Sequence, residues 1–268
     1  METSKIAPAM FISHGAPTFA VEPGKAGQLL AQVGRGLDSL RAVLIMSPHW
    51  MTSGIRIQSA AMPATVHDFG GFPESLYQID YAAPGSPALA DTVKSELAKH
   101  GIEAELDPLR GRDHGAWVPL LHLLPGPFVP VVQISLPRGI NAGGIYELGR
   151  ALAGLRHQGV AVIGSGSLTH NLYEVGMSDD EADGEVKSYV LDFQHWIRER
   201  VEAGNTDDLL NAETRAPDFR RAHPTAEHFM PLLFALGAAR SEDSVLVLKG
   251  GVVHRVLSME SYVWESSH

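Results

Sequence analysis

Along the chain, short apolar and β-branched runs alternate with longer stretches whose apolar residues recur at helical spacing. The runs Met10–Ser13, Ala42–Met46, Val129–Ile134 and Val160–Gly164 are nearly continuous in apolar residues, the mark of strands buried on both faces. Ile55–Ser59 alternates with period two and predicts another strand. Between them, Gly27–Leu37, Ser86–His100, Gly144–Gln158, Asp180–Ala203 and Ala226–Ala239 predict helices. In the second of these, Leu89, Val93 and Leu97 share one face, and Pro87 suits the first turn. Val245–Leu248 and Val252–Met259 predict closing strands, with Gly251–Trp264 as an antiparallel addition. This alternation predicts an α/β fold: one domain over residues 1–268, with a central, largely parallel sheet covered by helices on both faces.

Two connections are too long to be simple links. Met62–Pro87 carries His67-Asp68-Phe69-Gly70-Gly71-Phe72-Pro73, and Asp107–Trp117 carries Asp113-His114-Gly115. Long loops inside a compact fold commonly serve binding or catalysis, and these are rich in aromatics and glycine.

Composition narrows the chemistry. Apolar residues make up 44% of the chain and charged residues 19%, which suits a packed globular protein rather than a disordered one. A formal charge of −10 argues against nucleic acid as a partner, since no cationic face is available to displace counterions from phosphates. The apolar runs are strand-sized, so no membrane span is expected, and with no leader-like segment at Met1–Ala9 a cytoplasmic location is expected. The chain has no cysteine, which leaves imidazole, carboxylate and backbone oxygen as metal donors.

Thirteen histidines supply the candidates. His14 follows the first predicted strand, His49 the second, and His170 the strand ending at Gly164. Open α/β sheets bind ligands at the carboxyl ends of their strands, so these three are expected on one edge. His228 joins them from the entry to a helix opening at Pro231, with Glu227 beside it. Three neutral imidazoles with an open position suit zinc, whereas two imidazoles and a carboxylate suit non-haem iron. The residues offer His14, His49 and either His228 or Glu227; a further histidine nearby suits proton transfer. P-loop, dinucleotide-binding, H-E-x-x-H and G-x-S-x-G patterns are all missing.

Six separated segments resemble the class III extradiol ring-cleaving dioxygenases, the LigB-like family, and within it the 4,5-DOPA dioxygenase branch. They are Ser13-His14-Gly15, Ser47-Pro48-His49-Trp50, His67–Pro73, Asp113-His114-Gly115, Thr169-His170-Asn171-Leu172 and Glu227–Leu232. The resemblance implies one divalent ion, Fe(II) or Zn(II), held by His14, His49 and His228. It further implies His170 as acid–base, His114 as a second catalytic residue lining the pocket, and His67 as a substrate contact. The substrates implied are a small catechol-type aromatic and O2. The chain departs from protocatechuate-cleaving relatives, in which a glutamate is the third ligand. Three histidines suit zinc equally, so a zinc hydrolase using the same pocket, or an inactive binding protein of this fold, stands as the alternative.

Overall fold

The computed structural model describes residues 6–126, 129–175 and 184–266. In chain order the elements are β1 (Ala9–Ser13), α1 (Gly24–Gly34), β2 (Ala42–Thr52), β3 (Ile55–Gln58), α2 (Glu74–Tyr77), α3 (Pro87–Lys99), β4 (Ala104–Asp107), α4 (His114–Leu123), β5 (Val131–Pro137) and α5 (Ala142–Leu152). They continue with β6 (Val160–Gly166), α6 (Ser188–Glu202), the short helices α7 (Thr206–Leu210), α8 (Ala212–Arg215) and α9 (Phe219–Ala222), then α10 (Met230–Ala238), β7 (Asp243–Leu248), β8 (Val252–Val253), β9 (Leu257–Ser258) and β10 (Ser261–Ser266). Eight strands form one sheet in the order β4-β3-β5-β2-β6-β1-β10-β7, and β8 and β9 make a separate hairpin.

The expected parallel sheet is present at the centre, where β5, β2, β6 and β1 run together. Its flanks are mixed: β3 is antiparallel to β5, and β10 is antiparallel to both β1 and β7. Along β1 and β2, alternate residues point to opposite faces. Phe11, Leu44 and Met46 enter one core with α3, α5, α6 and α10, while Met10, Val43 and Ile45 enter another with α1 and α4. Two closed faces explain why these strands read as unbroken apolar runs.

Several boundaries differ from the sequence expectation. Among the described residues, the predicted helix Asp180–Ala203 starts at Ser188; residues 180–183 lie outside those described. Its remaining turns bury Tyr189, Val190, Phe193, Ile197 and Val201 at helical spacing. The helix expected over Gly144–Gln158 becomes α5 plus a 3-10 turn, Ala153–Gln158. The strand expected over Val252–Met259 breaks into the β8–β9 hairpin because His254 and Arg255 adopt left-handed backbone, φ 49° and 65°.

The largest revision concerns Asp107–Trp117, read from the sequence as a loop. It ends β4 and starts α4, a helix with nearly every residue buried. A helix apolar all round has no amphipathic period to detect, and Gly115 and Pro119 look like breakers. The other long connection, Met62–Pro87, is held down by Arg112, which is fully buried and donates to the carbonyls of Tyr81, Ala83 and Val131. Among the described residues, no helix is long and apolar enough to cross a membrane.

Candidate metal centre

Two strand ends, one irregular stretch inside a strand and two helix starts deliver histidines to one place. His14 follows β1 directly, as expected. His49 lies inside β2, not after it: the ladder to β6 stops at Met46, and the register to β5 shifts between Met46 and Met51. Pro48 has no N–H for a ladder, so this stretch bulges and carries His49 inward. His228 ends a 3-10 turn, Ala226–His228, just before α10. Gly164 admits that approach, since a Cβ there would meet the Pro231 carbonyl oxygen at 1.9 Å. His114 is the first residue of α4, and Gly115 beside it lies so close that a Cβ would sit 2.3 Å from Ser47 Oγ and 2.7 Å from His49 Cδ2.

The five rings converge. Ring centroids are 5.2 Å apart for His14–His49, 5.5 Å for His14–His228 and 5.1 Å for His49–His228. His114 is 4.0 Å from His49 and 5.7 Å from His14, and its donor atom groups with theirs within 4.8 Å. His170 stacks on His228 at 3.5 Å with an 8° interplanar angle. Its backbone N–H donates to the Ala222 carbonyl at 2.8 Å.

Partners on the outer side of His14 and His228 fix their tautomers, and Asp68 stands behind His49 and His114. His14 Nδ1 is 3.0 Å from Ser165 Oγ. Ser165 donates its one proton to the Gly115 carbonyl, so it can only accept from His14. That carbonyl is available because its helical partner four residues on is Pro119, which has no N–H. His49 Nδ1 and His114 Nδ1 lie 3.5 and 3.0 Å from Asp68 Oδ2, and His228 Nδ1 lies 3.1 Å from Glu227 Oε1. Carboxylates only accept, so His228 carries its proton on Nδ1 and keeps a lone pair on Nε2, and Asp68 beside His49 favours the same arrangement there.

These lone pairs need a cation. His14 Nε2 and His49 Nε2 face each other at 3.3 Å, and His228 Nε2 is buried without a hydrogen-bond partner. A shared proton would charge one ring, which burial opposes: desolvation, then the neighbouring histidines, hold His14 and His228 well below the usual imidazole pKa. Burial likewise lowers His49 to about 4, although Asp113 and Asp68 pull the other way. Metal–nitrogen bonds of about 2.1 Å at tetrahedral angles place nitrogens about 3.4 Å and centroids about 5 Å apart. The His14, His49 and His228 centroid spacings meet that condition, as does the 3.3 Å between the His14 and His49 nitrogens, whereas the His49–His114 centroids at 4.0 Å are too close. The donor set therefore fits a divalent cation. Glu227, the carboxylate weighed against His228, stands behind that ring and also accepts from Thr225 Oγ1 at 2.9 Å.

A cavity of about 600 Å³ opens over the cluster, its apolar walls including Phe69, Phe72, Leu172 and Leu257. All five histidines line it, as does His254 from the β8–β9 hairpin. His67 is not brought to it. Its Nε2 lies 2.9 Å from the Ile79 carbonyl and its ring packs against Phe69, Tyr77 and Trp117, so it supports the wall from behind. Burial lowers the pKa of His170 to about 4, with Glu227 opposing the shift. Burial opposes ionisation of Asp68, but the hydrogen bond and charge of His114 outweigh it and hold this carboxyl at about 2. Sequence reasoning missed Ser165 and Asp68 as partners of the rings, and His254 as a lining residue. Asp68 lay in a singled-out loop, while Ser165 and His254 carried no local signal.

Comparison with known proteins places this geometry. Residues 8–264 match the family described as the catalytic LigB subunit of aromatic ring-opening dioxygenase. A 4,5-DOPA dioxygenase extradiol from Beta vulgaris is 36% identical over 261 residues, covering 96% of each chain. One of the same description from Escherichia coli K12 is 32% identical over 260 residues, covering 95% of this chain and 93% of that one. The crystal structure of an uncharacterized protein from Escherichia coli K12 superposes with a TM-score of 0.78 at 28% identity, covering 96% of this chain and 99% of the other. The match spans every element that carries a cavity histidine, and by it this chain belongs to the LigB family of extradiol aromatic ring-opening dioxygenases, which are oxidoreductases.

Proposed function

We propose that this chain opens the ring of a DOPA-like catechol with O2 at one Fe(II) ion held by His14, His49 and His228. The observation that carries the reading is the set of inward Nε2 lone pairs, one of them orphaned, beneath a cavity with aromatic and aliphatic walls. Fe(II) bound there would supply electrons to oxygen, which redox-inert Zn(II) does not. His170 is the acid–base. Its ring faces the cavity and is neutral at working pH, so it can take a proton from a catechol hydroxyl as the ring binds and return it to the product. Asp68 holds His114 against the substrate space, and Phe69 and Phe72 face the aromatic ring.

Anaerobic reconstitution with Fe(II) is expected to give catechol-dependent oxygen uptake and a yellow ring-opened product, with zinc-loaded protein inactive. The variant His170→Ala should keep its metal and lose turnover by about 10²–10⁴-fold. Iron-loaded protein that leaves DOPA, protocatechuate and other catechols untouched in air would overturn the reading. Zinc-dependent hydrolysis without oxygen uptake would replace it with the hydrolase alternative.

A further inference from the structure

His14 and His170 stand on separate segments, yet the residue before each is fastened to the same stretch of chain. Ser13, at the end of β1, is buried; its Oγ donates to the Glu260 carbonyl at 2.7 Å and its N–H to the Ser261 hydroxyl at 3.0 Å. Thr169 is also buried; its Oγ1 donates to the Val256 carbonyl at 2.7 Å and accepts from the Ser258 N–H at 2.8 Å. A direct bond joins the two segments, from the Leu168 N–H to Ser13 Oγ at 3.2 Å. Residues 256–261, which run from β9 into β10, are therefore a common base for both histidines.

That base is itself anchored. The buried Glu260 carboxylate takes a bidentate pair from Arg198 of α6, through Nε at 2.9 Å and through Nη2, and a third bond from the Tyr262 hydroxyl at 2.8 Å. Four residues earlier on the same helix, Gln194 Oε1 accepts from Ser258 Oγ at 2.7 Å. A buried ion pair adds little net stability over apolar packing of the same volume, but its bidentate geometry holds Glu260 in one place. The His170 ring depends on such support. Among the described residues no other side chain is hydrogen-bonded to it; it rests on its stack with His228 and on its own backbone.

We infer that Ser13 and Thr169 are positioning residues that set the separation between the metal and His170, with the Arg198–Glu260 pair as their anchor. The inference rests on the ring-opening reading for the role of His170. Neither hydroxyl lines the cavity, so each acts through the histidine that follows it. Proton transfer needs that ring within hydrogen-bond reach of the catechol oxygen, and a misplacement of about 1 Å can lower turnover by about 10²-fold.

The test pairs Thr169→Val with His170→Ala in a double-mutant cycle. Fe(II)-loaded Thr169→Val should keep its metal and lose about 10–100-fold in kcat, and Thr169→Ser should restore most of it. In the His170→Ala background the same valine should change kcat by less than about two-fold, because the ring it acts through is gone. Ser13→Ala should lower kcat and metal affinity together, since its hydroxyl ties both segments. Co(II)-loaded protein gives a reading without turnover, because the paramagnetic shifts of the His170 ring protons follow their distance from the metal. They should move in Thr169→Val and return in Thr169→Ser. Should the valine variant not fold, Thr169→Ala, which leaves space instead of a methyl group, takes its place in the cycle. Equal losses in both His170 backgrounds, or unmoved shifts, overturn the positioning. Shifts that move while the unaltered protein opens no catechol would sink the ring-opening reading and leave the positioning standing.

Discussion

The hydroxyl proton of Ser165 is committed to the Gly115 carbonyl, and Pro119 leaves that carbonyl free to take it. One missing N–H thus sets the tautomer of His14 three residues away in contact, a control no spacing rule would disclose. Removing the acceptor in Ser165→Ala should lower metal affinity by about 10–100-fold, the usual cost of losing an outer partner of a ligating histidine. Chelator competition measures it, and unchanged affinity would remove Ser165 from the assignment. At this scale the sequence was partly legible. His14, His170 and His228 declare themselves by standing at strand ends or a helix entry. Asp68 and Ser165 do not, because an acceptor becomes a partner only through what folds against it.

Helices α5 and α10 meet through two glycines. A Cβ at Gly149 would lie 2.1 Å from the Phe234 carbonyl oxygen, and one at Gly237 would lie 2.0 Å from that of Tyr146. Both neighbours are backbone and cannot yield, so Gly237→Ala should destabilise by about 1–3 kcal/mol, or more, through overpacking. Because α10 starts two residues after His228, the same variant should also weaken metal binding. Denaturant midpoints and metal titration would check the pair, and a variant as stable as the parent would contradict the packing account. Amphipathic elements such as α3, with Leu89, Val93 and Leu97 on one face, were readable because only one face is buried. The start of α4 was not: Trp117, Val118 and Leu120 bury every side, and the glycine that brings it onto His49 looks like a turn signal. The extension of β2 past Met46 was hidden similarly, since Pro48 suggests an end to a strand that resumes pairing at Met51.

For the molecule as a whole, acid is the weak point. His14, His49, His170, His223 and His228 are all pushed toward the neutral form by burial. His223 is the simplest of them: it is buried among Phe193, Phe219 and Phe229, its Nε2 lies 2.9 Å from the Leu168 carbonyl, and its pKa falls from 6.5 to about 4. The unfolded chain therefore takes up this proton first. Stability is full above pH 6.5 and is lost as pH falls through about 4. The loss from His223 alone is on the order of 3 kcal/mol. Metal-free protein should show midpoints that drop steadily over that window, and a flat profile would contradict the burial of these rings.

The sheet order carries a consequence for synthesis. β1, which leads into His14, lies between β6 and β10, and Ser13 bonds to the Ser261 hydroxyl and the Glu260 carbonyl across more than 240 residues of chain. A nascent chain emerging from the ribosome carries its first ligand early but cannot fix it until residues 260–266 have followed. Pairing this remote makes folding slow and leaves β1 an open edge in the meantime. Chains halted before Glu260 should accordingly stay metal-free and prone to aggregate. Arrested ribosome complexes, probed for metal capture at increasing chain length, should show it appearing only once β10 has cleared the exit tunnel.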